Sequence, residues 1–323
     1  MNIAFIGAGR IANTLASTMA RMEDVNLYAV AARDLSRAQA FAAQYGFDKA
    51  YGSYEEMLCD PQVELVYIAT PHSHHAQHMK LCIEHGKNVL CEKAFTLNAA
   101  QAREVAALAK EKGVYVAEAI WTRYMPSRQL INEALASGVI GNVSTLTCNL
   151  SYPVTYKERI VRPELAGGAL LDVGIYGLNF ALMHFGDDIL RTDSSVAFTD
   201  TGVDAQETIT LHYRDGKMAV ITAGVLARSD RKGIFYGDKG YIIVENINNP
   251  QSISVYNLSD ELVEKIEVPA QITGYEYQIR EAMAQIRAGQ LEAASMPLSE
   301  SIAVMERMDS LRKDWGLVYP MEK

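Results

Sequence analysis

Short apolar runs and amphipathic stretches alternate along the first 120 residues. Residues 2–6, 25–32, 64–69, 88–92 and 114–118 are apolar runs of strand length, and residues 49–51 form a shorter one. Between them the apolar residues return at helical spacing, over 13–22, 34–45, from 53, 73–85 and 98–112. Gly86 and Gly113 stop two of these helices, and Asn98 caps one. Six buried strands alternating with helices predict an α/β, doubly wound parallel sheet. After residue 120 the pattern changes. A helix over 126–137 leads to Gly138 and Gly141, and strands follow at 143–152, 194–200, 206–213, 217–226, 232–236, 240–245, 252–256 and 262–267. Asp215-Gly216 supplies a hairpin turn, one helix spans 171–185, and two more close the chain at 275–288 and 299–315. The expectation is two domains, 1–120 and 121–323, the second α+β with a large, mainly antiparallel sheet. Helices covering one face of that sheet leave the other needing cover, which predicts a homodimer through it.

The turn after the first run, Gly7-Ala8-Gly9-Arg10-Ile11-Ala12, has the form of a dinucleotide fingerprint. Gly7 suits a tight turn, Gly9 lets a pyrophosphate approach the main chain, and Ala12 lets the helix pack on the sheet. Free N–H groups at the helix start, from Arg10 and Ile11 onward, then favour phosphate. At the end of the second run, where an acid commonly binds the ribose of NAD, stands Ala32, followed by Arg33, Asp34, Ser36 and Arg37. Two guanidinium groups and a hydroxyl suit a 2′-phosphate, so NADP is favoured, with NAD possible. The fourth run ends in Thr70-Pro71-His72-Ser73-His74-His75 and the fifth in Glu92-Lys93-Ala94. In a doubly wound sheet all of these lie at the carboxyl edge, where the ligand crevice forms. His74 and His78 are spaced as metal ligands on a helix, but no acid or cysteine accompanies them, and no metal is expected.

Composition narrows the class. The chain is 49% hydrophobic and 21% charged, with a net charge of −9, which argues against nucleic acid or an anionic membrane as partner. No stretch approaching a membrane span is expected, and with Met1 leading straight into the first strand no signal peptide is expected either. The four cysteines form no Cys-x-x-Cys pair and are expected to be buried free thiols in a cytoplasmic protein.

The motifs as a set resemble the glucose–fructose oxidoreductase, inositol dehydrogenase and rhizopine-catabolism (Gfo/Idh/MocA) family. The resemblance rests on Glu92-Lys93, where Ala94 replaces the family's proline, and on Thr70-Pro71-x-x-x-His75. Residues 118–126 (EAIWTRYMP) and 167–176 (GGALLDVGIY) bring the chain near the dimeric dihydrodiol dehydrogenase and NADP-dependent D-xylose dehydrogenase branch. The resemblance implies a Rossmann domain followed by an open-faced α/β domain, 2′-phosphate contacts from Arg33 and Arg37, and Lys93 with Tyr176 as the catalytic pair. Tyr176 would take the substrate hydroxyl proton while the Lys93 ammonium lowers the phenol pKa from its usual value of about 10. Asp172, one turn before Tyr176, would orient Lys93 or bind a substrate hydroxyl. Gly174 and Gly177, inside that helix, point to close backbone approach. His72, His75, Glu92, Trp121 and Arg123 complete the expected cofactor surroundings, and Trp121, Arg123 and Tyr124 the substrate wall. The expected substrate is a sugar, polyol or trans-dihydrodiol. Two alternatives stay open: a non-catalytic NAD(P)-binding regulator, and a cofactor-recycling relative that cleaves glycosides.

Overall fold

The structure is a computed structural model that describes residues 1–323. Strands β1 (Asn2–Ile6), β2 (Asn26–Ala31), β3 (Lys49–Tyr51), β4 (Leu65–Ile68), β5 (Asn88–Glu92) and β6 (Val116–Ala119) form one sheet in the order β3-β2-β1-β4-β5-β6. Every pairing in it is parallel. Helices α1 (Arg10–Met19), α2 (Leu35–Tyr45), α3 (Tyr54–Leu58), α4 (His75–Glu84) and α5 (Ala99–Lys112) make the connections. Because helices cover both faces, the central strands are buried on both sides, which is why they read as unbroken apolar runs. Phe5 sits in this core against Phe41, Phe47 and Tyr67. In register, Ile6 stands beside both Ala31 and Ile68, and Ile68 beside Cys91. The carboxyl ends of four strands therefore open on one edge.

The chain divides into two compact units, and the first is not continuous in sequence: Met1–Trp121 is joined by Gln271–Glu306. The returning segment is tied in by main chain and side chain. The Val116 amide donates to the Leu291 carbonyl at 3.0 Å, the hydroxyls of Thr18 and Thr273 share a hydrogen bond, and Arg103 pairs with Glu306.

The second unit, Thr122–Ala270 with Arg307–Lys323, opens on helix α6 (Pro126–Ala136). It holds β7 (Val143–Ser151), the short α7 (Glu158–Val161), α8 (Ile175–Phe185), and β8 (Ile189–Phe198) to β9 (Asp204–Tyr213). Strands β10 (Met218–Gly224), β11 (Gly233–Gly237), β12 (Gly240–Val244), β13 (Ser252–Asn257) and β14 (Leu262–Glu267) complete an eight-stranded sheet. Its order is β14-β13-β12-β11-β7-β10-β9-β8, antiparallel except for the parallel β7–β10 pair. Leu146, Cys148, Ile209, Ile221, Phe235 and Ile242 fill its covered face. On the other face Tyr236, Tyr241 and Tyr256 lie side by side, the last two stacked at 5.0 Å. Two helices follow, α9 (Glu276–Arg287) and α10 (Leu298–Trp315). Beyond them the C-terminus is pinned: Tyr319 is buried and donates to the Gly167 carbonyl at 2.7 Å, while Arg312 holds Asp309 and Glu322.

Four sequence expectations need correction. The helix expected over 171–185 starts one residue earlier with a turn of π-helix, Leu170–Gly174, before α8 takes over. Strand β8 starts at Ile189, five residues before the expected start, because it is an edge strand exposed along most of its length and carries no apolar alternation. Cys59 is exposed at the end of α3, whereas Cys82, Cys91 and Cys148 are buried. The helical stretch Pro163–Phe185 is long and apolar enough to cross a membrane by length and composition, and it is mostly buried inside this protein.

Candidate functional site

The glycine turn occupies the open edge of the first sheet. Gly7 has φ +97°, and a Cβ there would press on the Ala69 carbonyl oxygen at 3.1 Å and on Thr70 at 3.3 Å. Only glycine suits that position. A Cβ on Gly9 would meet only the Ala69 oxygen at 3.9 Å, so the main chain there lies open to a ligand. Gly9 is also the residue before α1, no side chain caps that helix, and its first turn carries no acid. The first N–H groups, those of Arg10 and Ile11 among them, are left for an outside acceptor, and the helix dipole favours an anion. These features fit a dinucleotide pyrophosphate.

Arg33 and Arg37 are both exposed, and Arg37 Nη2 reaches the Ala8 carbonyl at 3.4 Å, beside the glycine turn. Asp34, the one acid at the end of β2, is engaged locally. It caps α2, and its carboxylate accepts the Ser36 hydroxyl at 2.7 Å and the Ser36 amide at 2.8 Å, which hold its pKa below the usual range. Both bonds fall on Oδ1 of Asp34, and they commit the single O–H of Ser36 to that carboxylate. Tyr54, His74 and His78 complete the corner: Tyr54 meets the His78 ring edge-on at 5.0 Å, and His74 lies 5.7 Å from His78. The His78 imidazole, pushed down to about 4 by burial, by the neighbouring His74 and His75 rings and by the Arg33 charge, shares a hydrogen bond with the Thr70 hydroxyl at 3.0 Å.

His75 is fully buried rather than turned toward the open edge. Its Nδ1 lies 2.7 Å from the Ala94 carbonyl and its Nε2 2.8 Å from that of Thr70. The ring thus bridges the ends of β4 and β5, with Pro71 starting the turn between them and His72 packed edge-on against it at 5.7 Å. The peptide bond between Lys93 and Ala94 is cis. Glu92 is buried and accepts a hydrogen bond from the Tyr67 hydroxyl. Burial and the Glu92 charge hold the Tyr67 pKa well above its ordinary value. Phe95 donates its amide to Glu118 at 3.0 Å, fixing the chain just beyond the cis bond. Trp121 is only 5% exposed and stacks on Tyr275, ring centres 3.9 Å apart and planes 6° from parallel. Neither Tyr67 nor Tyr275 stood out in the sequence. Tyr67 was hidden in an apolar strand, and Tyr275 arrives from more than 150 residues away.

In the second unit Asp172 and Tyr176 stand on one helical stretch. Asp172 stands in the π-turn and pairs with Arg159, Nη1 to Oδ1 at 2.8 Å and Nη2 to Oδ2 at 3.4 Å. That ion pair is a partner the sequence did not suggest. Tyr176 opens α8, largely buried. Arg123 is buried; its Nε donates to Asn179 at 2.7 Å, and Asn179 donates to the Ile175 carbonyl at 2.9 Å. Arg123 thus braces α8 through Asn179, three residues beyond Tyr176. Tyr124 is also buried. The expected close approaches hold: a Cβ on Gly174 would collide with Glu207, and one on Gly177 with Ile221.

With this architecture in view, the comparisons define the class. Residues 1–120 match the family model GFO_IDH_MocA, described as an oxidoreductase family with an NAD-binding Rossmann fold, and residues 129–243 match the GFO/IDH/MocA C-terminal domain. The chain belongs to the Gfo/Idh/MocA oxidoreductase family. It is 34% identical over 334 residues to mouse trans-1,2-dihydrobenzene-1,2-diol dehydrogenase, covering 98% of both chains. The human protein of the same name is 35% identical over 320 residues, covering 95% of this chain and 93% of that one. Among solved structures, a 3-ketoreductase from Actinomadura kijaniata in complex with NADP and TDP-benzene aligns with a TM-score of 0.89 at 22% identity, covering 97% of each chain. An aldose-aldose oxidoreductase from Caulobacter crescentus aligns with a TM-score of 0.87 at 19% identity, covering 97% of this chain and 96% of that one. The chain is accordingly an oxidoreductase that works with a nicotinamide dinucleotide.

Proposed function

We propose that this protein is an NADP-preferring dehydrogenase or reductase acting on a hydroxyl-bearing carbon of a sugar, polyol or trans-dihydrodiol. The observation that carries the reading is the convergence at one sheet edge of an uncapped helix start behind Gly7 and Gly9, the Arg33–Arg37 corner, and Glu92-Lys93 closing β5. The relatives named for dihydrodiol oxidation, alike over nearly the whole chain, support the substrate class.

The bound nicotinamide supplies the carbon that accepts or donates hydride. The protein's own groups handle the proton. Tyr176 takes it from the substrate hydroxyl during oxidation and returns it during reduction, and the Lys93 ammonium favours the phenolate form of Tyr176. Asp172, held by Arg159, keeps the helix start in place and offers its carboxylate to a neighbouring substrate hydroxyl. Arg33 and Arg37 bind the 2′-phosphate, and the α1 start binds the pyrophosphate. We further propose that a second copy of the chain covers the tyrosine-lined face of the eight-stranded sheet.

The test is Tyr176→Phe, assayed with NADPH and NADH against a sugar and dihydrodiol panel. Removing a general acid–base should lower turnover by about 10²–10⁴-fold, with NADPH affinity held within about twofold. Lys93→Ala should do the same, less severely. Full turnover in Tyr176→Phe would remove that residue from the mechanism. Tight cofactor binding with no turnover on any substrate would favour a regulatory role instead.

A further inference from the structure

Strand β9 carries two acids into the core of the second unit. Asp204 is fully buried and Glu207 is 3% exposed. Both meet the helical stretch that bears Asp172 and Tyr176. Asp204 accepts the Leu170 amide at 2.5 Å and the Ala169 amide, and a Cβ on Gly168 would strike its Oδ1. It is placed as a cap at the start of that stretch, where main-chain N–H groups and the helix dipole stabilise a carboxylate. Glu207 has no such support. Neither of its oxygens has a hydrogen-bond partner among the protein groups, and Oε1 lies where a Cβ on Gly174 would stand.

The titratable groups around Glu207 are Asp204 on its own strand and Tyr319 from the C-terminal segment. Arg312 of α10 bears on Asp204 and Tyr319 but is spent on Asp309 and Glu322. A second carboxylate beside Asp204, buried with no donor among the protein groups, is a costly arrangement; a neutral acid is less so. We propose that Glu207 is a positioning residue: it keeps its proton at neutral pH and, as an uncharged acid beneath Gly174, seats the π-turn that sets the direction of Asp172 and Tyr176. A protonated carboxyl also has an O–H to donate, which a carboxylate lacks. Burial and the neighbouring Asp204 charge also hold Glu207 well above the usual carboxylate range, while Asp204, pushed up to about 6, gives up its proton first.

The kinetic side of this proposal rests on Tyr176 being the acid–base; the protonation side does not. Infrared spectra of the full-length protein at neutral pH should contain an un-ionised carboxyl C=O band that vanishes in Glu207→Gln. Carbon-13 glutamate labelling of the wild type should shift the same band, whether or not that variant folds. In kinetics, Glu207→Ala should lower kcat about tenfold with cofactor affinity unchanged, and Glu207→Gln should restore it to within about twofold. Gly174→Ala, which pushes the acid away, serves as the kinetic arm if Glu207→Ala does not accumulate, and should show the same loss of kcat. No un-ionised band in the wild type, or unchanged kcat in folded Glu207→Ala or Gly174→Ala, overturns the proposal. Full activity in Tyr176→Phe with the band present would instead strike down the acid–base assignment and leave the state of Glu207 standing.

Discussion

Replacing Arg33 and Arg37 together by alanine separates cofactor choice from cofactor binding. In the proposed reading the glycine turn and the uncapped start of α1 serve the pyrophosphate, which NADP and NAD share, whereas the arginines serve the one group that differs. A charge-assisted hydrogen bond contributes about 1.5–3 kcal/mol. Both side chains are exposed, so the lower end applies and the pair contributes about 3 kcal/mol, or about 150-fold in NADPH affinity. NADH affinity should change by less than about twofold. The fold should tolerate the change, because the bond lost is the 3.4 Å contact from Arg37 to Ala8, at the long limit of hydrogen bonding. Arg37→Lys, which keeps the charge but loses the planar fork, should fall between wild type and alanine. Solvent-facing cations also predict that NADPH binding weakens with salt more steeply than NADH binding. Fluorescence titration with each cofactor at two ionic strengths measures all of this. Equal losses for NADPH and NADH would mean that the arginines only brace the glycine turn, and the NADP preference would fall.

Two further outcomes follow from other parts of the molecule. His184 is a half-buried imidazole, bonded to Asn132 at 2.7 Å and pushed down to about 3 by desolvation and by the Arg128 and Arg123 charges. The unfolded chain binds this proton near pH ~6.5 and the folded chain does not, so stability is full above that pH and declines as pH falls toward ~3. By pH ~5 this one group should have cost about 2 kcal/mol, and melting curves of His184→Gln should show a shallower acid decline; an identical decline would exclude His184 as the cause. For the open sheet face, sedimentation velocity should find a dimer at micromolar concentration and a monomer for Ile243→Glu, a substitution in the row next to the stacked tyrosines; a monomeric wild type would refute the pairing.

The sheet edge that gathers the cofactor candidates was legible in sequence, because glycine turns and unbroken apolar strands follow from backbone sterics and burial on both faces. Less legible was which side of a loop each candidate faces. His75 and Trp121 carry the right chemistry for a ligand, yet one bridges two main-chain carbonyls and the other stacks on Tyr275. Arg123 became a brace on α8 for the same reason. Helical periodicity cannot separate a π-turn from an α-turn over five residues, so residues 171–174 read as ordinary helix, although Gly174 and Gly177 gave away the tight packing beneath it. Asp204 and Glu207 were invisible as a pair, since an acid in a strand reads as a solvent-facing position until the sheet is assembled.

The return of residues 271–306 to the first unit has a consequence for biosynthesis and for engineering. As the polypeptide leaves the ribosome, the nucleotide-binding half must wait, missing its Val116–Leu291 bridge and the ring that stacks on Trp121, until residues 271–306 have been made. Cutting the gene after codon 121 would thus release an unfinished lobe with raw edges. Anyone wishing to graft this half onto another scaffold should carry the distant piece along, spliced on through a linker.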